Sequence, residues 1–145
     1  MKIKLGALEN TIMSLQAVKA KKLPVRVQYA IAVNIKKLAE KQIEYIQQRT
    51  ETLEKNCIKD SEGMPVIKKE DIKNEEGEVV DTQEEYTYNG NDKEKTLKEL
   101  TELANIEEDI ELHMLPLEDL ERCDSNEYDT LTGSDMQALL LMIKD

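Results

Sequence analysis

The chain contains neither phenylalanine nor tryptophan, and five tyrosines are its only aromatic residues. A core without large aromatic rings must be built from Leu, Ile, Val, Met and Ala, with some help from tyrosine. Such a core supports packing between helices more readily than a large β-sandwich, which usually draws on aromatic side chains and regularly spaced turns. At 145 residues the chain has the length of one domain with its own core, so we expect a single domain over 1–145.

Cysteine is scarce as well. Cys57 and Cys123 are the only two, and neither lies in a CxxC motif or a Cys/His cluster of the kind that binds zinc. We therefore expect two reduced thiols in a cytoplasmic protein, while a disulfide between them stays an open alternative.

Long apolar runs are missing too. A membrane-spanning helix needs a run of about 18 or more apolar residues, and no stretch of the sequence is that long. The opening residues, MKIKLGALENTIM, lack the apolar segment of a signal peptide. The sequence predicts a soluble, intracellular protein without a membrane partner.

Signatures of catalysis are also lacking. The five glycines are scattered, so no phosphate-binding loop is present, and there is no G-x-S-x-G motif. His113 is the only histidine, and no nucleophile stands near it in a recognisable pattern. We interpret it as an ordinary histidine of a strand. The sequence predicts a protein that is not an enzyme and holds no cofactor.

Acidic residues are abundant, and their densest group is made of four carboxylates: Glu107, Glu108, Asp109 and Glu111. Oxygen ligands suit hard divalent cations, so a metal-dependent enzyme is one hypothesis. The spacing of a calcium-binding EF-hand loop is absent, however, and a solvated acidic face explains the same residues. We expect no metal here and treat the group as a candidate surface for binding a protein partner.

Charge is divided unevenly along the chain. Residues 1–56 carry 11 Lys and Arg against 5 Asp and Glu, whereas residues 57–145 carry 9 against 26. The balance is therefore +6 in the first part and −17 in the second, which gives the net charge of −11. A chain sorted in this way should meet charged partners in a preferred orientation.

A basic patch lies near the start of the chain: Lys19, Lys21, Lys22 and Arg26. Such a patch could touch phosphates, but the protein is acidic overall and no aromatic residue is interleaved for base stacking. We expect no direct binding of nucleic acid. The acidic part could instead imitate a nucleic-acid backbone in the basic groove of another protein, although solubility explains the same charge.

Helical periodicity is clearest after Pro24. Apolar residues recur every three or four positions, and no Gly or Pro interrupts residues 25–56, so one helix of about 30 residues is predicted. Gln42 and Arg49 interrupt its apolar stripe. Either the stripe drifts toward solvent, or Arg49 pairs with an acid from the second half of the chain. A shorter helix starting at Ala7 should form a hairpin with this long helix.

The remaining elements are short. A strand at 2–5 should pair with a second strand at about 109–115 that Pro116 ends. Turn signals at 60–63 and 74–77 predict a flexible β-hairpin region over 57–92, followed by a helix over 92–105 and a last helix from Gly133 to Ile143. The predicted fold class is α+β: a helical hairpin with one very long helix, a small antiparallel sheet and two shorter helices. The predicted segments are 1–56, basic and helical; 57–92, turn-rich; and 93–145, acidic.

The order of these features resembles a family of small uncharacterised proteins encoded by phages and prophages of Gram-positive bacteria. An MKIKL strand and a short helix precede a long helix that LP opens and that carries an E-Y-x-x-x-R element at Glu44, Tyr45 and Arg49. KELTEL, DIELHMLPLEDLE and a leucine-rich helix follow. The resemblance covers nearly the whole chain, with 63–92 as its least similar part, and it implies a phage-encoded accessory protein in the host cytoplasm.

Two functions follow as hypotheses. The first is a non-catalytic protein that binds a host or phage protein through its polarised surface, for example to inhibit a host defence factor. Tyr45 and Arg49 are further candidate contact residues on the long helix. The second is a virion-assembly or chaperone-like protein that binds through apolar helix faces. The long helix could also pair with a copy of itself, so a homo-oligomer stays open.

Overall fold

The computed structural model describes residues 1–144 and has the predicted α+β fold class. It combines a helical hairpin containing one very long helix with small two-stranded sheets and shorter helices. The chain forms two compact units, Met1–Tyr45 with Ala104–Asp145 and, separately, Ile46–Leu103. The single domain and the three segments that were expected from the sequence stay predictions.

The helical hairpin consists of α1, Leu8–Lys19, and α2, Val25–Lys55, which follow the strand β1, Lys2–Lys4, and a 3₁₀ turn. Gln28 closes the hairpin because its Nε2 donates to the carbonyl oxygens of Lys19 at 3.2 Å and Lys21 at 2.6 Å. α2 has 31 residues, which corresponds to roughly 46 Å. Pro24 precedes α2 instead of opening it, and its carbonyl accepts the first helical bond, from the Gln28 N–H.

The core of the first unit is aliphatic, as the absence of Phe and Trp requires. Along α1 the buried side chains recur every three or four residues and form one face: Leu8, Ile12, Leu15 and Val18. α1 packs against the last helix, α5, which spans Gly133–Leu140. From α2 the core receives Val27, Ile31 and Leu38. The predicted helical periodicity is confirmed.

The predicted strand at 109–115 is wrong in its position, although its partner is correct. Strand β4 covers Glu107–Asp109 and pairs with β1 in antiparallel register. Residues 110–114 form no regular element. Burial nevertheless alternates there, because Ile110 and Leu112 are buried whereas Glu111 and His113 are exposed. His113 is therefore not a strand residue.

Two boundaries near the end of the chain also differ from the prediction. Pro116 belongs to a strand, β5, Leu115–Pro116, and does not stop one. Helix α4, Leu117–Glu121, follows it directly. Helix α5 ends at Leu140, so Ile143 lies outside it. Ile143 belongs instead to β6, Ile143–Lys144, which pairs with β5 in parallel. Next to this pair, the Met142 carbonyl accepts from the Leu115 N–H at 2.7 Å.

The second unit combines the end of α2 with helix α3, Asp92–Ala104, and a hairpin of β2, Ile67–Lys73, and β3, Val79–Tyr86. The helix at 92–105 and both turns of the hairpin region are confirmed. Within this unit Asn56 Nδ2 donates to the buried Thr96 hydroxyl at 3.2 Å, and Lys55 pairs with Glu99 at 2.8 Å. No helix among residues 1–144 is long and apolar enough to cross a membrane.

Candidate functional site

The four carboxylates predicted to bind a partner lie in β4 or just after it: Glu107, Glu108, Asp109 and Glu111. The register of the sheet places Lys4 opposite Glu107 and Lys2 opposite Asp109. Asp109 Oδ1 also accepts from the Met1 nitrogen at 3.1 Å. The carboxylates of this strand therefore face a strand that carries positive charge.

Two lysines of α2 lie beside the same segment of chain. Lys37 Nζ donates to the carbonyl oxygen of Glu111 at 2.8 Å. Lys41 bonds to Glu44 at 3.0 Å, and this bond, together with the negative charge of Glu108, raises the pKa of Lys41. The acidic group is thus interleaved with basic residues of its own unit. Within residues 1–144, no three or more His, Cys, Asp or Glu side chains are grouped so that they could hold a metal ion.

Tyr45 and Arg49, the other predicted contact residues, lie on α2. Tyr45 is half-buried, and Arg49 is exposed without an ion pair in the described part of the chain. Gln42 is half-buried, and its Oε1 finds no hydrogen-bond partner among residues 1–144. Arg49 therefore fits the first of the two interpretations, in which its charged head lies in solvent, whereas Gln42 places an unpaired acceptor in a buried position.

Arg49 borders a groove of about 370 Å³ inside the second unit. Leu53, Leu97 and Leu100 form its apolar part, and Lys93 is a further cation on its border. Glu84 and Glu85 of β3 also line the groove. It therefore combines apolar side chains with charged groups of both signs. It brings together no nucleophile and base.

Two tyrosines beside this groove are structural. Tyr86 donates its hydroxyl hydrogen to Glu54 Oε1 at 3.0 Å, and Tyr88 donates to the Leu53 carbonyl at 2.9 Å. Burial raises the pKa of both phenols, and the bond to Glu54 raises that of Tyr86 further. Both hydroxyls therefore stay protonated and attach the end of β3 to α2.

The hairpin arm, residues 67–86, is the least buried part of the structure. Every residue of β2 is exposed, and so is every residue of β3 except the half-buried Tyr86. The arm carries three lysines against eight carboxylates, a balance of −5. Because neither face is covered, its side chains serve no core within the residues described.

Ion pairs inside the arm lie along its strands. Lys68 pairs with Glu70 at 2.8 Å, and Lys69 pairs across the strands with Glu84 at 3.5 Å. Mutual hydrogen bonding raises the pKa of Lys68 and lowers that of Glu70. At the turn, three carboxylates have no ion-pair partner within residues 1–144: Glu75, Glu76 and Glu78. Asp71, Asp81 and Glu85 of the strands also lack an ion pair among residues 1–144, so unpaired negative charge runs along the arm and is densest at its turn.

The turn that presents these carboxylates is well specified. Asn74 Oδ1 accepts from the N–H groups of Glu76 at 3.0 Å and Glu78 at 2.9 Å. Gly77 takes φ +80°, a conformation that favours glycine. Asp60 and Gly63 repeat the arrangement fourteen positions earlier, where Asp60 Oδ1 accepts from Glu62 and Met64.

Sequence reasoning predicted this turn but not the site. Asn and Gly at fixed spacing signalled the hairpin. The exposure of both faces had no comparable signal, because alternation of side chains says which residues share a face and not whether anything covers that face. From the sequence alone, the denser acidic group at Glu107–Glu111 is the stronger candidate than the carboxylates of the turn.

His113 and the two cysteines are the remaining side chains with reactive chemistry. The His113 ring is exposed and lies edge-on to Tyr29, with 5.8 Å between ring centroids. Cys57 and Cys123 are free and buried. Burial, and to a lesser degree the charge of Asp119, raises the pKa of the Cys123 thiol. A thiol held in this way is a poor nucleophile at neutral pH.

Comparison of the chain with known protein families, with characterised proteins and with solved structures gives no match. The function must therefore be inferred from the residues themselves. The resemblance to phage and prophage proteins stays a prediction.

Proposed function

We propose that this protein is a non-catalytic interaction protein that binds a basic surface of another protein through its hairpin arm. The observation that carries the proposal is the exposure of β2 and β3 on both faces combined with a charge balance of −5. Side chains that pack against nothing in their own chain are free to meet a partner.

The base of the arm supports this role. An isolated two-stranded hairpin is marginally stable in water. Here Ile58 N–H donates to the Thr87 carbonyl at 2.8 Å, and Val66 N–H donates to the Ile58 carbonyl at 2.9 Å, so a third stretch of chain pairs with both strands at the base. With the Tyr86 and Tyr88 hydroxyls on α2, these bonds fix the base and leave the turn free for binding.

Charge sets the kind of partner. Complementary charge accelerates encounter and fixes orientation, and its effect falls as salt screens it. Since Glu75, Glu76 and Glu78 have no ion pair among residues 1–144, a partner's Lys or Arg side chains can approach them without displacing internal pairs. A basic groove that normally binds nucleic acid would fit the same pattern of charge.

The resemblance stated above implies a phage or host protein as partner, in the host cytoplasm, and a host defence factor is the target that we propose to examine first. The alternative, a virion-assembly or chaperone-like role, has one observation in its favour. Ile43 and Ile46 lie three residues apart on α2 and are 59% and 50% exposed, so they offer an apolar helix face.

The test is a capture experiment with three forms of the tagged protein and lysate of a Gram-positive host. The first is wild type; the second replaces the turn carboxylates, Glu75→Gln, Glu76→Gln and Glu78→Gln. The third is a control of equal net charge, Glu9→Gln, Glu40→Gln and Glu118→Gln, at exposed positions outside the arm. We expect wild type and the control to retain the same prey, which the turn variant loses. Equal retention by all three would contradict the proposal, and loss of capture on Ile43→Ser with Ile46→Ser alone would favour the alternative.

A further inference from the structure

We infer that the first unit has a separate binding site, for a short basic and apolar peptide segment of another protein. The site is a cavity of about 940 Å³ between α4, the loop 122–132 and the start of α5. Its size is near the upper end of the range of about 300–1,000 Å³ found for ligand pockets. The site does not depend on the hairpin arm and goes beyond the proposed function.

The loop that borders the cavity is anchored at its far end. Lys22 N–H donates to Asp129 Oδ2 at 2.6 Å, and Asp129 N–H donates to the Lys22 carbonyl at 3.0 Å. Lys21 Nζ donates to the Thr130 carbonyl at 3.0 Å and forms an ion pair with Asp135.

Asp135 in turn belongs to the capping box of α5. Its carboxylate accepts from the Thr132 N–H at 2.8 Å, while the Thr132 hydroxyl accepts from the Asp135 N–H at 3.2 Å. The end of the loop is therefore held both by Lys21 and Lys22 and by the capping box at the start of α5. A preformed rim lowers the conformational entropy that a ligand must remove on binding.

The floor of the cavity is apolar and partly open to solvent. Leu117 is 51% exposed and Met136 is 36% exposed, and the buried Leu120 of α4 lines the same cavity. Exposed apolar side chains that surround a concavity are typical of sites that bind another molecule. Covering them would contribute a favourable hydrophobic term to binding.

The rim carries charge of one sign. Glu121, Asp124 and Asp129 line the cavity, and among the lining residues there is no Lys, Arg or His. The neighbouring Arg122 is directed at the buried Asp119, with 3.4 Å between Nη1 and Oδ1, and does not line the cavity. The complementary occupant therefore bears positive charge beside apolar groups.

A peptide with Arg or Lys between Leu residues has this chemistry. Its aliphatic side chains would cover Leu117 and Met136, while its cations would meet the carboxylates of Glu121 and Asp124. Small polyamines share the charge but not the branched apolar groups, and so should not use the floor.

The test is a titration of the full chain, labelled with ¹⁵N and observed by NMR, with three capped tetrapeptides and, separately, with the polyamine spermine. The probes are acetyl-Leu-Arg-Leu-Arg-amide, the same peptide with Glu for Arg, and the same peptide with Ser for Leu. We expect saturable shifts of amide signals in 117–136 with the first probe and binding at least about tenfold weaker with the others.

Matched variants locate the effect. Glu121→Gln with Asp124→Asn should weaken binding of the first probe about tenfold. Glu118→Gln with Glu127→Gln removes the same charge from exposed neighbours that do not line the cavity, and should leave binding unchanged. Absence of shifts in 117–136, equal shifts with all three probes, equal weakening by both variants, or spermine shifts as large as those of the peptide would each overturn the inference.

Discussion

Asn34 holds the backbone of His113 with both ends of its side-chain amide. Its Nδ2 donates to the His113 carbonyl at 3.0 Å, and its Oδ1 accepts from the His113 N–H at 2.6 Å. Asn34 is fully buried on α2. At His113 a side chain of a helix thus makes the two backbone hydrogen bonds that a neighbouring strand would otherwise make.

Replacement of Asn34 by leucine should destabilise the fold. The change leaves the N–H and C=O of His113 without side-chain partners, and an unsatisfied buried polar group costs about 1–3 kcal/mol. The free energy of unfolding, measured by urea denaturation, should fall by that amount or more. Asn10→Leu, at an exposed position of α1, is the control and should stay within about 0.5 kcal/mol of wild type. Equal effects of the two substitutions would contradict the role given to Asn34.

The helices could be predicted from the sequence because periodicity reports burial directly. Leu8, Ile12, Leu15 and Val18 are spaced as one face of a helix, and all four are buried. Residues 110–114 show the limit of the same reasoning. Alternation of apolar and polar residues predicted a strand, but a strand is defined by its hydrogen-bond partners, and the partner of His113 is a side chain 79 residues away in sequence.

The candidate site was less predictable than the fold. The sequence showed that Asn74 and Gly77 form a turn, yet nothing local revealed that the faces of β2 and β3 would be uncovered. The sequence also located the densest acidic group, but not the two lysines of α2, Lys37 and Lys41, that lie beside it. Both facts depend on long-range packing, which periodicity does not report.

Gly6 should not tolerate a side chain. A Cβ atom at this position would lie 3.0 Å from the Cβ of Ala104 and 3.3 Å from its carbonyl oxygen. Overpacking of this kind typically costs about 1–3 kcal/mol, so Gly6→Ala should lower the melting temperature and the free energy of unfolding.

Gly133→Ala is the matched control, because nothing lies within 4 Å of a Cβ placed there. It should leave stability unchanged or raise it. A double variant, Gly6→Ala with Ala104→Gly, should show favourable coupling between the two positions in a mutant cycle. If the changes in the free energy of unfolding of the two single variants simply add in the double variant, the steric conflict between positions 6 and 104 is absent.

Stability should depend on pH through Asp135. The hydrogen bond from Lys21, followed by the backbone bond from Thr132, lowers the pKa of this carboxyl group. Its stabilising effect is complete above the unfolded pKa of about 3.9 and is lost as pH falls through the lower folded value. The stability difference between wild type and Asp135→Asn should therefore be constant near neutral pH and shrink below about pH 4.

Urea denaturation of both proteins at several pH values measures this difference. Asp124→Asn, an exposed position, is the control and should change stability by no more than about 0.5 kcal/mol near neutral pH. A wild-type advantage over Asp135→Asn that persists at the acid end would contradict the pKa shift.

The turn of the hairpin arm should depend on Gly77. Alanine at φ +80° is strained, at a cost of roughly 1–2 kcal/mol. Gly77→Ala should therefore accelerate amide hydrogen exchange in β2 and β3 while leaving exchange in α1 unchanged. Glu75→Ala, in the same turn but without a positive φ, should leave exchange in the arm as it is. Similar exchange rates in β2 and β3 in both variants would show that the conformation of Gly77 does not stabilise the hairpin arm.

The most direct test of the proposed function is calorimetry with the captured partner at low and at high salt. Wild type and the control variant, Glu9→Gln with Glu40→Gln and Glu118→Gln, should bind equally and lose affinity together as salt rises. The turn variant, Glu75→Gln with Glu76→Gln and Glu78→Gln, should bind more weakly at low salt and depend less on salt. Equal affinity and equal salt dependence of the three proteins would show that the hairpin arm is not the binding surface.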